Sequence, residues 1–464
     1  ALPAAFGAVS LAAGWPRTLP VLHTPHATPH DAPEGSGANV RRLGLGIALL
    51  GGSAQAIALV IHLRDGTRAG WDDALLLLVL TLGLVLSGMR SPPPLRLLQR
   101  ARRFSLPLAA HALLVAALAT GYQRHPLAPL FAAAAVLAHV LLWAVGRRWI
   151  SPAFWFVSLA LIVSCIWIDG WWFAAIGDEY AFYDIASMVL ARQPEAAIGE
   201  MLYNPIAVYG SHPGFSVLPQ AASLALFGDN VFGWRFSSIY LASLSLLAIY
   251  PFYRTFGRAR FATLAVALLA VSHYLMSFSK IGYNNLQALF AFACALGAAA
   301  WVVRSRSRTA SLACGLSLAL SVYVFPAALL TLPVPLLYLA MFDPPSRQSR
   351  GRWCTMALVA LAAALPMLVQ PDWWATKSAG TIWNNPSIVA SAETAVGHVL
   401  TNTVLAGMSF LFAPLETHFV AVGFLDALSS FFVLLGLGSL LQQGSTRPGR
   451  FLLAGLSILL VLVG

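Results

Sequence analysis

The sequence predicts an all-α, polytopic integral membrane protein, and its composition, its apolar spans and the distribution of its basic residues all indicate this class. Of the 464 residues, 59% are hydrophobic and only 10% are charged, and the mean hydropathy is +0.75. A soluble domain carries about 25% charged residues, so this chain lacks the polar surface that a water-soluble protein of its size needs. Because only four cysteines occur, a disulfide-stabilised scaffold is excluded as well.

Twelve apolar stretches have about the length that a helix needs to cross a bilayer. The predicted spans are 43–63, 72–89, 105–122, 127–145, 153–170, 231–252, 260–278, 284–303, 310–325, 326–342, 355–370 and 419–441. The stretch 310–342 is divided into two short spans because Pro326 and the prolines after it interrupt a helix. A thirteenth span begins at Phe451 and is expected to be cut off at the C-terminus.

The basic residues predict the orientation of these spans. If the N-terminal tail is cytoplasmic and successive spans alternate, most of the 28 Lys and Arg residues fall in inner segments, including 90–103, 254–260, 304–308 and 347–352. This distribution follows the positive-inside rule. The net charge of +11 therefore reflects membrane topology, and no nucleic-acid partner is expected.

Composition divides the chain into three regions. Residues 1–40 are rich in proline and poor in bulky apolar residues, so we expect a disordered cytoplasmic tail. Residues 41–148 are predicted to form an accessory four-span bundle. Its sequence contains no cluster of side chains that suggests catalysis, so we expect it to serve in packing or in binding a membrane partner subunit. Residues 149–464 form the core, with long outer loops at 171–230 and 371–418. Loops of that length in a compact bundle are usually functional.

The acidic residues concentrate in the first outer loop, where seven of the 17 Asp and Glu residues lie between 169 and 230. Asp178 and Glu179 follow a span directly and open a helical pattern. A helix N-terminus keeps a carboxylate ionised, so Asp178 is a candidate to accept a proton at neutral pH. The simpler alternative is that Asp178 only caps the helix.

Three further side chains complete a candidate site at the outer ends of the spans. Arg235 lies near the outer end of a span, where an unpaired guanidinium is costly in lipid and where its fork would match phosphate oxygens. Lys280, one of two lysines, lies in an outer turn and is either a phosphate ligand or a snorkelling residue. His212 is either a hydrogen-bond partner or an ordinary loop residue. We predict that these three converge with Asp178 and Glu179 in one outer cavity.

Five short motifs follow one another along the core. They are Asp178-Glu179 after the first core span, Ser-His-Pro-Gly before a helix ending in Leu-Phe-Gly, Trp234-Arg-Phe-Ser-Ser, Phe278-Ser-Lys-Ile-Gly-Tyr-Asn-Asn and Gly315-Leu-Ser-Leu-Ala-Leu-Ser-Val-Tyr-Val. Over about residues 150–441 this series resembles the C-type glycosyltransferases, and in particular the family 39 type, which includes protein O-mannosyltransferases and lipid A aminoarabinose transferase. The resemblance implies a helical membrane bundle of that family, here with a four-helix N-terminal extension.

The resemblance implies an inverting transfer of a sugar from a polyprenyl-phosphate donor to an acceptor hydroxyl of a lipid, a polysaccharide or a protein. The reaction would take place at the outer face of a bacterial-type cytoplasmic (inner) membrane. In the family's pattern Asp178 is the catalytic base with Glu179 in support, while Arg235 and Lys280 hold the donor phosphate. Because cations already pair with that phosphate, no metal or other cofactor is required. The residues expected to contact substrate are Tyr203, His212, Tyr283, Asn284 and Asn285.

The chain departs from the family pattern at two places. His212 is followed by Pro-Gly where many members have Pro-Pro, and Asn284 and Asn285 stand where some members carry an Asp. These departures leave open a second reading, in which the chain is a non-catalytic subunit or scaffold of a membrane assembly. A transporter is disfavoured, because the span centres carry almost no ionisable residues.

Overall fold

The computed structural model describes the residues in the ranges 46–47, 93–146, 150–166, 168–169, 177–191, 205–206, 212–282, 284–369, 392–409 and 427–463. Within these ranges the chain is helical apart from one two-residue antiparallel pairing and short turns. The predicted all-α membrane fold is therefore confirmed. The predicted tail 1–40 and nearly all of the first two predicted spans lie outside the described residues.

The described helices overlap the predicted spans, except for three that lie in the predicted outer loops, and the first begins at Pro93 and not at residue 105. Up to residue 279 they are α1 (Pro93–Tyr122), α2 (Ala128–Gly146), α3 (Pro152–Cys165), α4 (Gly177–Ala191), α5 (Leu218–Phe227), α6 (Val231–Phe256), α7 (Ala259–Ala270) and α8 (His273–Ser279). Beyond it they are α9 (Leu286–Ser305), α10 (Arg308–Tyr323), α11 (Ala327–Thr331), α12 (Pro333–Phe342), α13 (Arg350–Leu368), α14 (Ala392–Ser409), α15 (Ala427–Gln442) and α16 (Arg447–Val463).

Two strands of two residues each lie in the first outer loop, between α4 and α5. They are β1 (Pro205–Ile206) and β2 (His212–Pro213), which pair antiparallel with Ile206 opposite His212. A single 3₁₀ turn (Gly214–Val217) follows and leads directly into α5.

One predicted span is wrong in its continuity. The sequence predicts a single helix over 260–278, whereas the structure ends α7 at Ala270 and starts α8 at His273. The hydroxyl of Ser272 accepts a hydrogen bond from the N–H of Leu275 at 3.3 Å and so caps a new helix. The apolar composition continues across this break and conceals it.

The predicted break within 310–342 is confirmed. Helix α10 ends at Tyr323, Pro326 stands at the start of the short α11, and α12 begins at Pro333. Proline is tolerated at the first position of a helix and disfavoured in its interior, which explains why each helix begins at or just after a proline.

Helices α6 and α9 pack against each other at the centre of the bundle. A Cβ atom on Gly297 of α9 would lie 2.0 Å from the carbonyl oxygen of Ala248 in α6, so only glycine allows this approach. Gly315 plays the same part between α10 and α13, where an added Cβ would lie 2.6 Å from the carbonyl oxygen of Met356. Small residues at such crossings are typical of helix packing in membranes.

Three of the described helices have the length and hydropathy required to cross a bilayer, namely α6, α9 and α13. Shorter apolar helices, including α2, α7 and α15, expose large apolar side chains on their outer surfaces, as helices that face lipid do. The chain is accordingly a multi-pass membrane protein.

Of the predicted accessory bundle, the structure describes α1 and α2. Helix α2 lies against α3, the first helix of the core, where Nε2 of His139 lies 3.2 Å from the hydroxyl of Ser158. The second half of the accessory region thus packs directly on the core.

Candidate active site

Helix α4 carries the paired acids and docks on the core by its apolar stripe. The apolar positions predicted at helical spacing are all buried, and they are Phe182, Ile185, Ala186 and Val189. They pack with α5 and with Trp234 at the start of α6. On the same helix the hydroxyl of Tyr183 donates a hydrogen bond to the carboxylate of Asp229, just ahead of α6. These contacts hold the first turn of α4 beside the first turn of α6.

A buried ion pair joins these two first turns. Nε of Arg235 lies 2.8 Å from Oε1 of Glu179, and its NH2 lies 3.2 Å from Oε2, so the carboxylate receives the guanidinium fork with both oxygens. The NH1 group donates to the carbonyl of Ile168, just beyond α3, at 3.1 Å. Glu179 is 1% exposed and Arg235 6% exposed. The pair therefore ties three separate elements together inside the protein.

The peptide group of Gly282, in the turn between α8 and α9, is held from both sides. Its N–H donates to Oε1 of Glu179 at 2.6 Å. Its carbonyl accepts from Nε2 of Gln220, in α5, at 3.1 Å, and the same amide donates to the carbonyl of Trp234 at 3.2 Å. Glu179 and Gln220 together fix the turn that carries Lys280.

We expect Gly282→Ala to destabilise the protein by about 1–3 kcal/mol, the usual cost of overpacking a tight core. A Cβ atom at this position would lie 2.6 Å from Nε1 of Trp234 and 2.9 Å from Oε1 of Glu179. The melting temperature in detergent measures the effect. Gly351→Ala is the matched control, because a Cβ there meets nothing within 4 Å; an equal melting temperature for the two variants would contradict the tight packing around Gly282.

Lys280 directly follows α8 and is 6% exposed. Its Nζ donates to the carbonyl of Ile166, at the end of α3, at 3.0 Å. Burial lowers the pKa of Lys280 below its ordinary value, because an apolar environment disfavours the ammonium form. An anionic ligand beside this group would oppose that shift, because it favours the ammonium form.

Uncharged polar groups line the start of α9 beside this turn. Nδ2 of Asn284 lies 3.5 Å from the hydroxyl of Ser216, and the side-chain amide of Gln287 donates to the carbonyl of the same serine. The side-chain oxygens of Gln220, Asn285 and Gln287 are buried and find no hydrogen-bond partner within the described part of the chain. This layer is rich in acceptors, which suits contact with hydroxyl groups.

The structure describes some of the predicted site residues completely and others only in part. Glu179, Arg235, Lys280 and Asn284 come together around the Gly282 turn. The helix that carries Asp178 begins one residue before it, so Asp178 lies in the first turn, beside Glu179, and not at the cap position.

Other predicted residues are described in part or not at all. His212 lies in β2, but its side chain, like that of Asp178, is outside the described part of the structure. Tyr203 and Tyr283 lie wholly outside the described residues. Their assignment to substrate contacts stays a prediction.

The geometry joins two residues that the sequence analysis had assigned to separate tasks. Glu179 was expected to support catalysis and Arg235 to bind the donor phosphate, yet in the structure the carboxylate compensates the charge of the guanidinium. Among the described residues, three of the five N–H groups of Arg235 have acceptors. Arg235 can therefore offer hydrogen bonds to a ligand but little net charge.

Sequence reasoning missed three residues that shape the site. Gln220 is buried in an otherwise apolar helix, and an amide among apolar neighbours is a signal that could have found it. Gly282 stands inside a motif that carried the family resemblance. Tyr180, 51% exposed, follows the paired acids, and its ring centroid lies 5.1 Å from that of Trp234. An exposed aromatic face at this point could contact a sugar ring.

Within the described ranges, no group of three or more His, Cys, Asp and Glu side chains could hold a metal ion. The prediction that the reaction needs no metal is not tested by this finding and stays a prediction.

Comparison with known proteins supports the resemblance that the motifs indicate. Residues 211–370 match the family model of the dolichyl-phosphate-mannose-protein mannosyltransferases. Two relatives are described as undecaprenyl phosphate-alpha-4-amino-4-deoxy-L-arabinose arabinosyl transferases. The one from Pseudomonas aeruginosa (strain LESB58) is 32% identical over 169 residues, and the one from Pseudomonas paraeruginosa (strain DSM 24068 / PA7) is 31% identical over 169 residues.

These matches cover part of each protein. In both cases the aligned segment is 33% of this chain and 30% of the relative, so the chain spans about a third of the length of the curated relatives that it matches. The matched family range contains His212, Arg235 and Lys280 and begins after Asp178 and Glu179. The resemblance to C-type glycosyltransferases is confirmed for this segment.

Proposed function

We propose that the chain is an inverting glycosyltransferase that moves a sugar from a polyprenyl-phosphate donor to an acceptor hydroxyl at the outer face of the cytoplasmic membrane. The observation that carries this proposal is the network around Gly282, in which Glu179 and Arg235 join the acidic helix α4 to the turn of Lys280. The names of the matched family and of both relatives refer to lipid-linked sugars and support the same kind of reaction.

Asp178 is the general base of the proposed reaction. It takes the proton of the acceptor hydroxyl while the acceptor oxygen forms a bond to C1 of the sugar. The bond from C1 to the phosphate oxygen breaks at the same time, and polyprenyl phosphate leaves with the bonding electrons. The position of Asp178 in the first turn of α4 supports this role, since the helix N-terminus favours an ionised carboxylate.

Lys280 supplies the positive charge for the leaving phosphate. Glu179 already compensates the charge of Arg235, so the proposal assigns the positive charge to the ammonium of Lys280, whose Nζ donates to the carbonyl of Ile166. Arg235 adds hydrogen bonds from its fork, and both groups stabilise the charge that grows on the phosphate in the transition state.

The polar layer beside Lys280 receives the sugar and the acceptor in this proposal. Asn284 and Asn285 lie there, and Tyr203, His212 and Tyr283 are assigned to the same task from the sequence. Clustering of acidic residues in the outer loop and of arginines at the opposite ends of the spans supports a site that faces away from the cytoplasm.

The test is donor turnover by the purified chain in proteoliposomes. The two donors are undecaprenyl-phosphate 4-amino-4-deoxy-L-arabinose and dolichyl-phosphate mannose, and the readout is the release of polyprenyl phosphate. We expect turnover of a lipid-linked sugar to fall about 10²-fold or more in Lys280→Met, the size of loss seen when a group that stabilises transition-state charge is removed.

Lys377→Met, at the other lysine of the chain, is the control and should keep full turnover. Melting temperatures of both variants separate a loss of catalysis from a loss of folded protein. If the unaltered, folded chain consumes neither donor, the non-catalytic scaffold is favoured over the enzyme.

A further inference from the structure

Two arginines lie together at the end of the bundle opposite the candidate site. Helices α6 and α9 both begin at the site and run parallel, in contact where Gly297 meets Ala248. Arg254 lies in the last turn of α6 and Arg304 in the last turn of α9. The two guanidinium groups are therefore carried to the same end of the two central helices.

Both arginines are half-buried, and the packing of α6 on α9 brings their like charges to the same end of the bundle. NH1 of Arg254 donates to the carbonyl of Gly257 at 3.2 Å, but no carboxylate pairs with either arginine among the described residues. Among the described residues, the acid at this end of the bundle is Asp343, and Arg352 already holds it, with NH2 at 2.6 Å from Oδ1. Each arginine lies at the C-terminus of its own helix, which attracts a cation, but the two helix ends together carry about one negative charge against the two positive charges of the arginines.

A buried phenol completes the cluster. Tyr338 of α12 is fully buried, and its ring centroid lies 5.5 Å from that of Phe252 and 6.4 Å from that of Phe256, on either side of Arg254 in α6. Its hydroxyl forms no hydrogen bond within the described part of the chain. The hydroxyl of Thr255 lies beside it but donates to the carbonyl of Phe252 at 2.6 Å. Two guanidinium forks and a phenol hydroxyl offer several donors, which fit a ligand that only accepts hydrogen bonds.

An apolar surface adjoins this cluster. Gly257, the acceptor for Arg254, lies against the ring of Phe261 at the start of α7. Helix α7 exposes Phe261, Leu264 and Leu268. A ligand held by the arginines would thus find an anion-binding site and an apolar surface side by side.

We propose that Arg254, Arg304 and Tyr338 bind the phosphodiester of an anionic phospholipid. A guanidinium fork matches phosphate oxygens, and basic pockets at the ends of membrane helices are suited to anionic head groups. The acyl chains lie along α7. An anion between the two arginines removes their mutual repulsion and secures the ends of the two central helices. The site is independent of the proposed sugar transfer.

The experiment is native mass spectrometry of the full chain in detergent, titrated with dioleoylphosphatidylglycerol or with dioleoylphosphatidylcholine. We expect preferential binding of the anionic lipid. Since each basic residue contributes about 1 kcal/mol to such binding, each of Arg254→Gln and Arg304→Gln should weaken it about fivefold. Tyr338→Phe, which removes only the hydroxyl, should weaken it less.

Arg308→Gln is the matched control, because Arg308 is exposed at the same end of the bundle, and it should leave affinity nearly unchanged. Melting temperatures in the phosphatidylcholine sample show whether each variant is folded. Arg304→Lys keeps the positive charge but removes the planar guanidinium, so it tests whether the fork geometry contributes to binding. Equal binding of the two lipids, or unchanged affinity in Arg254→Gln and Arg304→Gln, overturns the proposal. Displacement of the lipid by millimolar inorganic phosphate would identify a site for free phosphate and overturn the lipid assignment.

Discussion

The Asp178→Asn variant is expected to fold normally and to lose about 10²–10⁴-fold in turnover, the range that general base catalysis contributes. Asparagine keeps the size of the side chain but cannot accept the proton of the acceptor hydroxyl. The measurement is the release of polyprenyl phosphate from the lipid-linked sugar in proteoliposomes. Binding of the donor should change little, because the proposed phosphate contacts lie at Lys280 and Arg235.

Asp184→Asn provides the matched control for this variant. Asp184 lies two turns further along α4 and is exposed, so its replacement removes one carboxylate from the same helix without touching the proposed site. Turnover of Asp184→Asn should equal that of the unaltered chain. Full turnover of Asp178→Asn at normal expression would remove Asp178 from the role of base.

The Glu179→Gln variant is expected to lose about 3–5 kcal/mol of stability, because it leaves the buried guanidinium of Arg235 without a counter-charge. Glutamine keeps a side-chain oxygen that can accept from the N–H of Gly282. The loss therefore reports mainly on the charge pair. Thermal and chemical unfolding in detergent measure it, and turnover should fall as well because the Gly282 turn positions Lys280.

A double-mutant cycle with Arg235→Met measures the interaction free energy between Glu179 and Arg235 separately from their other contacts. Removing both charges abolishes the uncompensated ion, so the double variant should be more stable than Glu179→Gln alone. If the two single losses simply add, the carboxylate and the guanidinium do not act as a pair.

Sequence periodicity predicted the elements of this fold well where the signal is local. Apolar length predicted α6, α9 and α13, and proline chemistry predicted the break before α11. The break between α7 and α8 escaped prediction because Ser272 caps a helix inside an apolar stretch. Whether a serine caps a helix or continues one depends on a competition between hydrogen bonds that hydropathy does not register.

The sequence predicted some of the residues that meet around the Gly282 turn but not the contacts that connect them. The acids at 178 and 179, Arg235 and Lys280 stand out by charge in an apolar chain. Gln220 and Gly282 do not stand out in this way, because a neutral amide and a glycine carry no charge that distinguishes them from their apolar neighbours. Their importance lies in two hydrogen bonds to one peptide group, which only folding brings together.

By itself the sequence determined the membrane class, since hydrophobicity adds up along a chain regardless of how it folds, and it predicted the topology that the arginines favour and the outer clustering of acids. The tertiary structure alone decided that Glu179 compensates Arg235 and that Gly282 lies between Glu179 and Gln220. The paired residues are 56 positions apart, and an ion pair depends on the distance between two helices, which no local pattern encodes.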